Sequence, residues 1–317
     1  MGAIVEVKHL KKYFPTPKGA LHAVDDVSFK IEEGTTLGVV GESGCGKSTL
    51  GRTIIHLQDS TDGQILFDGE DITHVDRKQL SELRHKMQII FQDPFSSLNP
   101  RMTVDDTINE PIRRSGKYSK DEIARETTKL MELVGIDSRM RRAYPHELDG
   151  GRQRVGIARA LAMNPRFIVC DEPVSALDVS IQAQILNLLQ DLQEERHLTY
   201  MFITHDMSVV RHLSTDIAVM YLGQMVEISP TKEIFLKTLH PYTKVLLSAI
   251  PSTDIDHPKQ RILVKGELVS PIEPKPGCRF YARCPYATEE CTKPQHLEEV
   301  LPKHYVACCH ARSLNGL

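Results

Sequence analysis

The sequence predicts an α/β fold built on a mostly parallel sheet, and three observations carry that prediction. Short apolar, β-branched runs at Thr36–Val40, Phe167–Asp171 and Tyr200–Ile203 have the length and composition of strands buried on both faces. Segments with helical spacing of apolar residues lie between them, and alternating buried strands and helices favour parallel pairing. A glycine-rich turn, Gly41 to Thr49, joins the first of these strands to a helix.

Size and charge narrow the classes. The 317 residues allow one large domain or a domain with an appendage. With 39 Lys plus Arg against 42 Asp plus Glu the net charge is −3, which offers no broad cationic surface, so no nucleic-acid partner is expected. No run of 18 apolar residues appears, and the amino terminus lacks a charged region followed by a hydrophobic stretch; a cytosolic chain without a channel of its own is expected.

Taken in order, the first 40 residues read as short strands joined by turns, with partial alternation from Val24 to Ile31. A helix is predicted from Lys47 to Leu57, then a small strand and turn arrangement from Thr61 to Asp71. Residues 76–90 mix a helix with a buried strand around Ile89-Ile90-Phe91, and Pro94 and Pro100 interrupt regular structure. Residues 104–143 read as a helical insertion whose apolar positions include Ile123, Leu130, Leu133 and Val134, and 155–162 as a further helix. Ile181, Ile185, Leu188, Leu189 and Leu192 give one apolar face to a helix of about four turns. Sheet signals weaken after Pro230, a short helical run follows His240-Pro241-Tyr242, and proline content rises over 251–302; residues 231–317 form an accessory region.

Gly41-Glu42-Ser43-Gly44-Cys45-Gly46-Lys47-Ser48-Thr49 is a full G-x-x-x-x-G-K-[ST] pattern between a strand and a helix. Glycines permit a tight turn whose backbone N–H groups converge on phosphates at a helix start. Lys47 brings a cation to the β and γ phosphates, the Ser48 hydroxyl suits Mg²⁺, and Thr49 supports the helix start. Asp171 and Glu172 end an apolar strand, Asp171 suited to Mg²⁺ and Glu172 to polarising an attacking water. Gln92 can sense Mg²⁺ or water, and His205 can bond a γ-phosphate or orient the water; alone, each is an ordinary polar loop residue. Cys45 lies where a helix start can lower a thiol pKa, which suits a redox switch, although most loop cysteines have no such role. Cys170 packs in its strand.

The combined order resembles an ATP-binding subunit of an ABC transporter, with the phosphate loop at 41–49, a Gln loop at Gln92, a signature region at 148–154, the Asp171-Glu172 pair and a switch His205. Pro173 and Ser175-Ala176-Leu177-Asp178 match the turn that communicates between paired sites, and the resemblance covers residues 4–230. It implies a P-loop RecA-like nucleotide-binding core over 1–230 with an antiparallel β subdomain and an inserted helical and signature region at 93–154. It also implies that two such domains close head-to-tail around two ATP molecules, and that Tyr13 stacks on adenine, with Phe14 as the local alternative. Residues 93–143 would receive a cytoplasmic helix of the permease.

The tail carries a second resemblance. Cys278, Cys284 and Cys291 are separated by five and six residues, and Cys308 and Cys309 follow; such thiols suit an iron–sulfur cluster, and spacing alone leaves Zn²⁺ open. His240-Pro241-Tyr242-Thr243, Gly277-Cys278-Arg279-Phe280, Arg283-Cys284-Pro285 and Ala307-Cys308-Cys309-His310 look like the extension of oligopeptide and dipeptide permease ATPases. That resemblance implies ATP-driven peptide uptake and a [4Fe–4S] cluster on Cys278, Cys284, Cys291 and a fourth cysteine. Order next to Ala307 favours Cys308 and adjacency to His310 favours Cys309; Cys308 is the choice. The implied partners are two transmembrane permease subunits, a second identical or related ATPase and an extracytoplasmic peptide-binding protein, with the chain peripheral at the cytoplasmic membrane face. Related systems carry nickel or sugars. A nucleotide-dependent regulator with little turnover is the competing class, and an ABC ATPase of repair or translation a further one.

One departure from the family pattern stands out. The usual Leu-Ser-Gly-Gly is Leu148-Asp149-Gly150-Gly151 here, and the following Arg152-Gln153-Arg154 run is one residue shorter. Ionised Asp149 would repel a γ-phosphate where a hydroxyl would donate, while Gly150 and Gly151 still allow close backbone approach. Asp149→Ser is therefore expected to raise ATP turnover at the composite site that uses this signature, measured in the partner-complete complex. Identical turnover and nucleotide affinity would show that the departure carries no functional weight.

Overall fold

The computed structural model describes residues 2–93, 97–148, 151–250, 261–264, 266 and 270–317. The chain opens with β1 (Ala3–Thr16), β2 (Gly19–Glu32), β3 (Thr36–Val40), α1 (Lys47–Ile54), β4 (Asp62–Phe67) and β5 (Glu70–Asp71). Next come α2 (Arg77–Lys86), β6 (Met87–Ile90), α3 (Val104–Ser115), α4 (Lys120–Leu133), α5 (Arg152–Leu161), β7 (Phe167–Asp171), α6 (Val179–Arg196) and β8 (Thr199–Thr204). The last third holds α7 (Met207–Leu213), β9 (Asp216–Tyr221), β10 (Gln224–Pro230), α8 (Thr231–Leu236), α9 (Pro241–Ser248), β11 (Glu298–Leu301), β12 (His304–Val306) and α10 (Ala311–Asn315). Two compact units result, Met1–His74 with Phe202–Leu317, and Val75–Met201.

In the first unit an antiparallel sheet has the order β2-β1-β4-β5. Its buried face carries Val5, Val7, Leu10, Val27, Ile65 and Phe67. The expected short strands of the first 40 residues are instead two 14-residue strands paired from Ala3↔Glu32 to Thr16↔Gly19. Register shifts between Val7 and Tyr13 interrupt the alternation that would have announced such long strands, because each bulge moves the side-chain phase by one residue.

A second sheet of the same unit pairs β3 with β9 in parallel, Leu37 opposite Asp216, and continues antiparallel through β10 and β12 to β11. Every residue of β3 is buried, as its apolar run predicts. The sheet therefore extends into the tail, where sequence patterning had faded. β12 is joined to β10 by backbone pairing, by the apolar cluster of Leu239, Val306 and Ala311, and by one buried polar pair. Glu227 on β10 and His304 on β12 are both fully buried, and His304 Nε2 lies 2.7 Å from Glu227 Oε1. The same carboxylate accepts the Leu239 and His240 backbone N–H groups at 2.8 and 3.1 Å, which fixes the approach to α9. His240 in turn caps α9 by accepting the Tyr242 N–H at 3.0 Å. Burial pushes the His240 imidazole down to about 4, so it is neutral and free to accept.

Farther along the tail, residues 271–273 run beside the edge of β2. The His22 N–H donates to the Pro271 carbonyl at 3.0 Å, and the Ala20 N–H to Glu273 Oε1 at 2.7 Å. The edge strand is thereby covered.

α1 ends at Ile54 rather than at Leu57. His56 takes a left-handed conformation, and the Leu57 N–H turns back to the Arg52 carbonyl at 2.9 Å, leaving the Leu57 side chain exposed.

In the second unit β6 and β7 are parallel, with Met87 opposite Phe167 and Ile90 opposite Cys170. β7 is buried throughout, and Phe91 lies just beyond β6. The helical region over 104–143 contains α3 and α4. A Ser119–Glu122 capping box starts α4, and Arg141 Nε donates to Asp105 Oδ1 of α3 at 2.7 Å. Arg154 of α5 donates to the Val134 carbonyl at 2.6 Å. Pro94 lies outside the described residues.

Glu227→Ala leaves His304 and two backbone N–H groups buried without their acceptor. Loss of one partner of a buried ion pair costs about 3–5 kcal/mol, and a fall of that order in the urea unfolding free energy is expected. An unchanged midpoint would show that the tail docks without this carboxylate.

Candidate functional site

The phosphate loop is shaped by backbone packing. A Cβ at Gly46 would collide with the Ala23 carbonyl, and one at Gly41 with the Met220 carbonyl, so only glycine fits at either end of the turn. The Cys45 carbonyl accepts the Gly223 N–H at 2.9 Å, which ties the loop to the β9–β10 turn. Lys47 is buried, and its ammonium donates to the Gly41 and Glu42 carbonyls at 2.8 and 3.0 Å. The loop thus presents a single desolvated cation among Ser43, Gly44, Gly46, Ser48 and Thr49 at the start of α1.

Cys45 fits the reading of an ordinary loop cysteine rather than a redox switch. It is 2% exposed, and burial pushes its pKa up against the opposing pull of Lys47. Cys170, fully buried in β7, is likewise raised by burial.

Tyr13 lies on β1 with its ring stacked on His22 of β2 at 3.9 Å between centroids, 16° from parallel. Its hydroxyl donates to Asp25, and burial together with that carboxylate pushes the phenol up. Asp25 also accepts from Arg279. Burial alone would raise the Asp25 carboxyl, but the Tyr13 hydroxyl and the Arg279 charge outweigh it and hold the group below its ordinary value. His205 follows β8 and is exposed.

Two residues on the tail reach the phosphate loop itself. The Glu42 N–H donates to the Tyr242 hydroxyl at 2.9 Å. Arg283 Nη1 lies 3.0 and 3.1 Å from the two Glu42 carboxylate oxygens and 3.2 Å from the Tyr221 hydroxyl. Sequence reasoning assigned no role to Asp25, Tyr242, Arg279 or Arg283, since contacts between residues 200 to 254 apart leave no local pattern to read.

Within the second unit Gln92 and Glu172 meet. Gln92 Nε2 donates to Glu172 Oε2 at 3.1 Å. Asp171 is fully buried at the end of β7, and Glu172 takes a left-handed φ of 46°, which turns its side chain away from the strand direction. The Ser175 N–H and hydroxyl both donate to the Glu172 carbonyl, at 3.3 and 3.2 Å. Of the signature, Leu148 is buried and Gly151 caps α5, while Asp149 and Gly150 lie outside the described residues.

The tail cysteines converge, and all are free thiols. The Cys278 N–H donates to the Cys291 carbonyl at 2.8 Å, and a tight turn at Tyr281–Arg283 brings Cys284 back toward them. Burial pushes the Cys278 thiol up to about 12, with Cys308, Cys291 and Cys284 adding to the effect. Cys308 is raised by burial and by the same neighbours Cys284 and Cys291. Cys278, Cys284 and Cys308 each interact with Cys291, a set of soft donors that suits a thiolate-held metal centre. Cys309 is exposed, with its sulfur 3.7 Å from that of Cys291, and Cys291, Cys309 and His310 hold potential ligand atoms within 4.8 Å of one another.

Among the described residues no helix is long and apolar enough to cross a membrane. The family described as "ABC transporter" matches residues 24–175, and that described as "Oligopeptide/dipeptide transporter, C-terminal region" matches residues 226–291. The oligopeptide transport ATP-binding protein AppF of Bacillus subtilis is 49% identical, covering 96% of each chain. OppF of Salmonella typhimurium is 48% identical over 96% of this chain and 92% of its own. Among solved structures, the post-hydrolysis dimer of the ATP-binding cassette MJ0796 with ADP and Pi aligns at a TM-score of 0.66 and 29% identity, covering 72% of this chain and 98% of that one. The fold is a RecA-like P-loop core with an antiparallel β subdomain and an inserted helical subdomain. The chain belongs to the oligopeptide/dipeptide permease family of ABC-transporter ATP-binding subunits.

Proposed function

We propose that this chain binds ATP with Mg²⁺ and hydrolyses it to power import of di- or oligopeptides through separate membrane permease subunits. The observation that carries this function is the phosphate loop, whose glycines pack against backbone carbonyls and whose buried Lys47, the first residue of α1, holds its ammonium inside the loop against the Gly41 and Glu42 carbonyls. Peptide cargo is supported by full-length relatives named for oligopeptide transport. A peripheral position at the cytoplasmic membrane face follows, with two permease subunits, a second ATPase and an extracytoplasmic peptide-binding protein as partners. Residues 1–230 serve as the nucleotide-binding domain and 231–317 as its extension.

In this proposal the loop N–H groups and Lys47 hold the β and γ phosphates, and Tyr13 carries the adenine. Ser48 and Asp171 would hold Mg²⁺, which would supply positive charge against the negative charge that develops on the phosphates. Glu172 polarises a water and takes its proton as the water oxygen bonds to the γ-phosphorus. The bond from that phosphorus to the bridging oxygen breaks, leaving ADP and inorganic phosphate. Gln92, already donating to Glu172, fixes the orientation of that carboxylate. His205 orients the γ-phosphate, and Asp149, Gly150 and Gly151 serve the partner's ATP.

For the tail, Cys278, Cys284, Cys291 and Cys308 would hold a [4Fe–4S] cluster. Cys308 is taken as the fourth ligand because it is half-buried and interacts with both Cys284 and Cys291; the exposed Cys309, whose sulfur lies 3.7 Å from that of Cys291, is the alternative. A bound cluster would supply a covalent cross-link for a segment with little apolar core of its own.

Lys47→Ala is expected to weaken Mg-ATP binding about 10–100-fold, the value of a charge-assisted contact. Glu172→Gln should retain binding and lower hydrolysis about 10²–10⁴-fold, as measured by phosphate release in the partner-complete complex with the other site disabled. Normal release would remove Glu172 as the base.

Anaerobic purification should yield iron and sulfide in equal amounts, lost in Cys308→Ser and kept in Cys309→Ser. The reverse pair of results would move the fourth ligand to Cys309. Stoichiometric zinc without iron would eliminate the cluster.

A further inference from the structure

Two arginines flank the first two thiols of the cysteine group, and each reaches a different part of the nucleotide site. Arg283, immediately before Cys284, pairs with both carboxylate oxygens of Glu42 inside the phosphate loop. Arg279, immediately after Cys278, pairs with Asp25, the residue that receives the Tyr13 hydroxyl. These contacts lie within one compact unit.

The electrostatics make the first contact consequential. Glu42 is an acidic side chain in a loop that must accept polyphosphate, and its side chain is only 29% exposed. An unneutralised carboxylate there would repel the phosphates in a partly desolvated setting, where screening is weak. Arg283, with its side chain 14% exposed, pairs with both oxygens of that carboxylate and offsets its charge. The Tyr242 hydroxyl holds the Glu42 N–H at the same place.

The second contact is more deeply buried. The Arg279 side chain is 8% exposed and that of Asp25 12%. Among the described residues, Arg279 Nε and Nη1 and Arg283 Nε have no hydrogen-bond partner. Buried guanidinium donors of this kind are costly unless something anionic faces them. Both lie in the turn between Cys278 and Cys284, and a cluster held by thiolates would bring negative charge to that turn.

The turn has two kinds of anchor. Phe280 in its middle is buried against Tyr221 and Tyr242, with ring centroids 5.4 Å away in each case. Cys278 and Cys284 at its ends carry no covalent restraint unless a metal centre joins them. Arg279 and Arg283 each adjoin one of those ends, so a metal centre joining Cys278 to Cys284 would restrain both.

We propose that Arg279 and Arg283 are positioning residues for ATP, through Asp25–Tyr13 and through Glu42, so that filling of the cysteine centre sets nucleotide affinity. This rests on the assignment of residues 41–49 to ATP and of the cysteines to a metal centre.

The test uses the full chain, purified anaerobically, with Mg-ATP as probe, calorimetric dissociation constants, and iron and sulfide content on the same samples. Arg283→Gln is expected to keep its iron and raise the ATP dissociation constant about tenfold, the weight of one hydrogen-bonded charge pair. Arg283→Lys should recover most of the affinity by restoring the charge. Arg283→Gln in a Glu42→Gln background should add no further loss, because the two act as a unit. Arg279→Gln and Tyr13→Phe form the matching cycle at the other end. Removal of metal from the unmodified chain should weaken ATP binding to a similar extent.

Affinity within about twofold of wild type in Arg283→Gln with iron retained would overturn the proposal, since one charge-assisted bond is worth more than that. So would strictly additive losses in both cycles, or unchanged affinity after metal removal. Should Arg283→Gln fail to fold, the Arg279→Gln and Tyr13→Phe cycle and the metal-removal measurement decide the question in its place: strictly additive losses in that cycle, or unchanged affinity after metal removal, would overturn the proposal equally. A wild-type chain without iron whose two cycles are still non-additive would discard the cluster and support the arginine links.

Discussion

The nucleotide site is governed by how closely the phosphate loop approaches its neighbours. With no room for a Cβ at Gly46 against Ala23, the loop sits on the backbone of β2 and on the β9–β10 turn, where Gly223 donates to the Cys45 carbonyl. The Gly223 carbonyl in turn accepts the Asp25 N–H at 2.8 Å. Asp25 is thereby held two residues from the loop contact at Ala23, and Tyr13 is fixed through it. Backbone packing of the loop on β2 and on the β9–β10 turn, completed by the Tyr13–Asp25 side-chain bond, sets the distance between the phosphate loop and Tyr13.

That packing leaves a wall to be supplied, and the tail supplies it. Tyr242, Arg279 and Arg283 reach the loop and β2, while residues 271–273 run beside the β2 edge. The extension is attached in its turn by the buried Glu227–His304 pair and by the cluster of Tyr221, Tyr242 and Phe280. The extension is consequently part of the structure around the phosphate loop, not a passive appendage. Its cysteines occupy the turn from which both arginines project.

The second unit places its adjacent carboxylates at the end of a single buried strand. β7 delivers Asp171 at full burial, and the left-handed turn at Glu172 directs the next carboxylate toward the Gln92 amide. The Gln92 amide, by donating to that carboxylate, favours one orientation of it, which is what the proposed activation of a water calls for.

Whatever depends on neighbours along the chain was legible before any folding. The phosphate-loop spacing, the apolar runs of β3 and β7, the Asp171-Glu172 pair and the cysteine spacing are local patterns, and local patterns encode buried strands, turns and donor sets directly. The length of β1 and β2 escaped that reading, since bulges break alternation, and so did β11 and β12, since a Glu227–His304 charge pair has no periodicity. Cys45 lies at a helix start, yet burial in the folded loop dominates its electrostatics. The assignment of Arg279 to Asp25 and of Arg283 to Glu42 came from packing alone. Ion pairs between residues more than 200 positions apart form when packing brings them together and removes water from between them, and no spacing rule along the chain records that event.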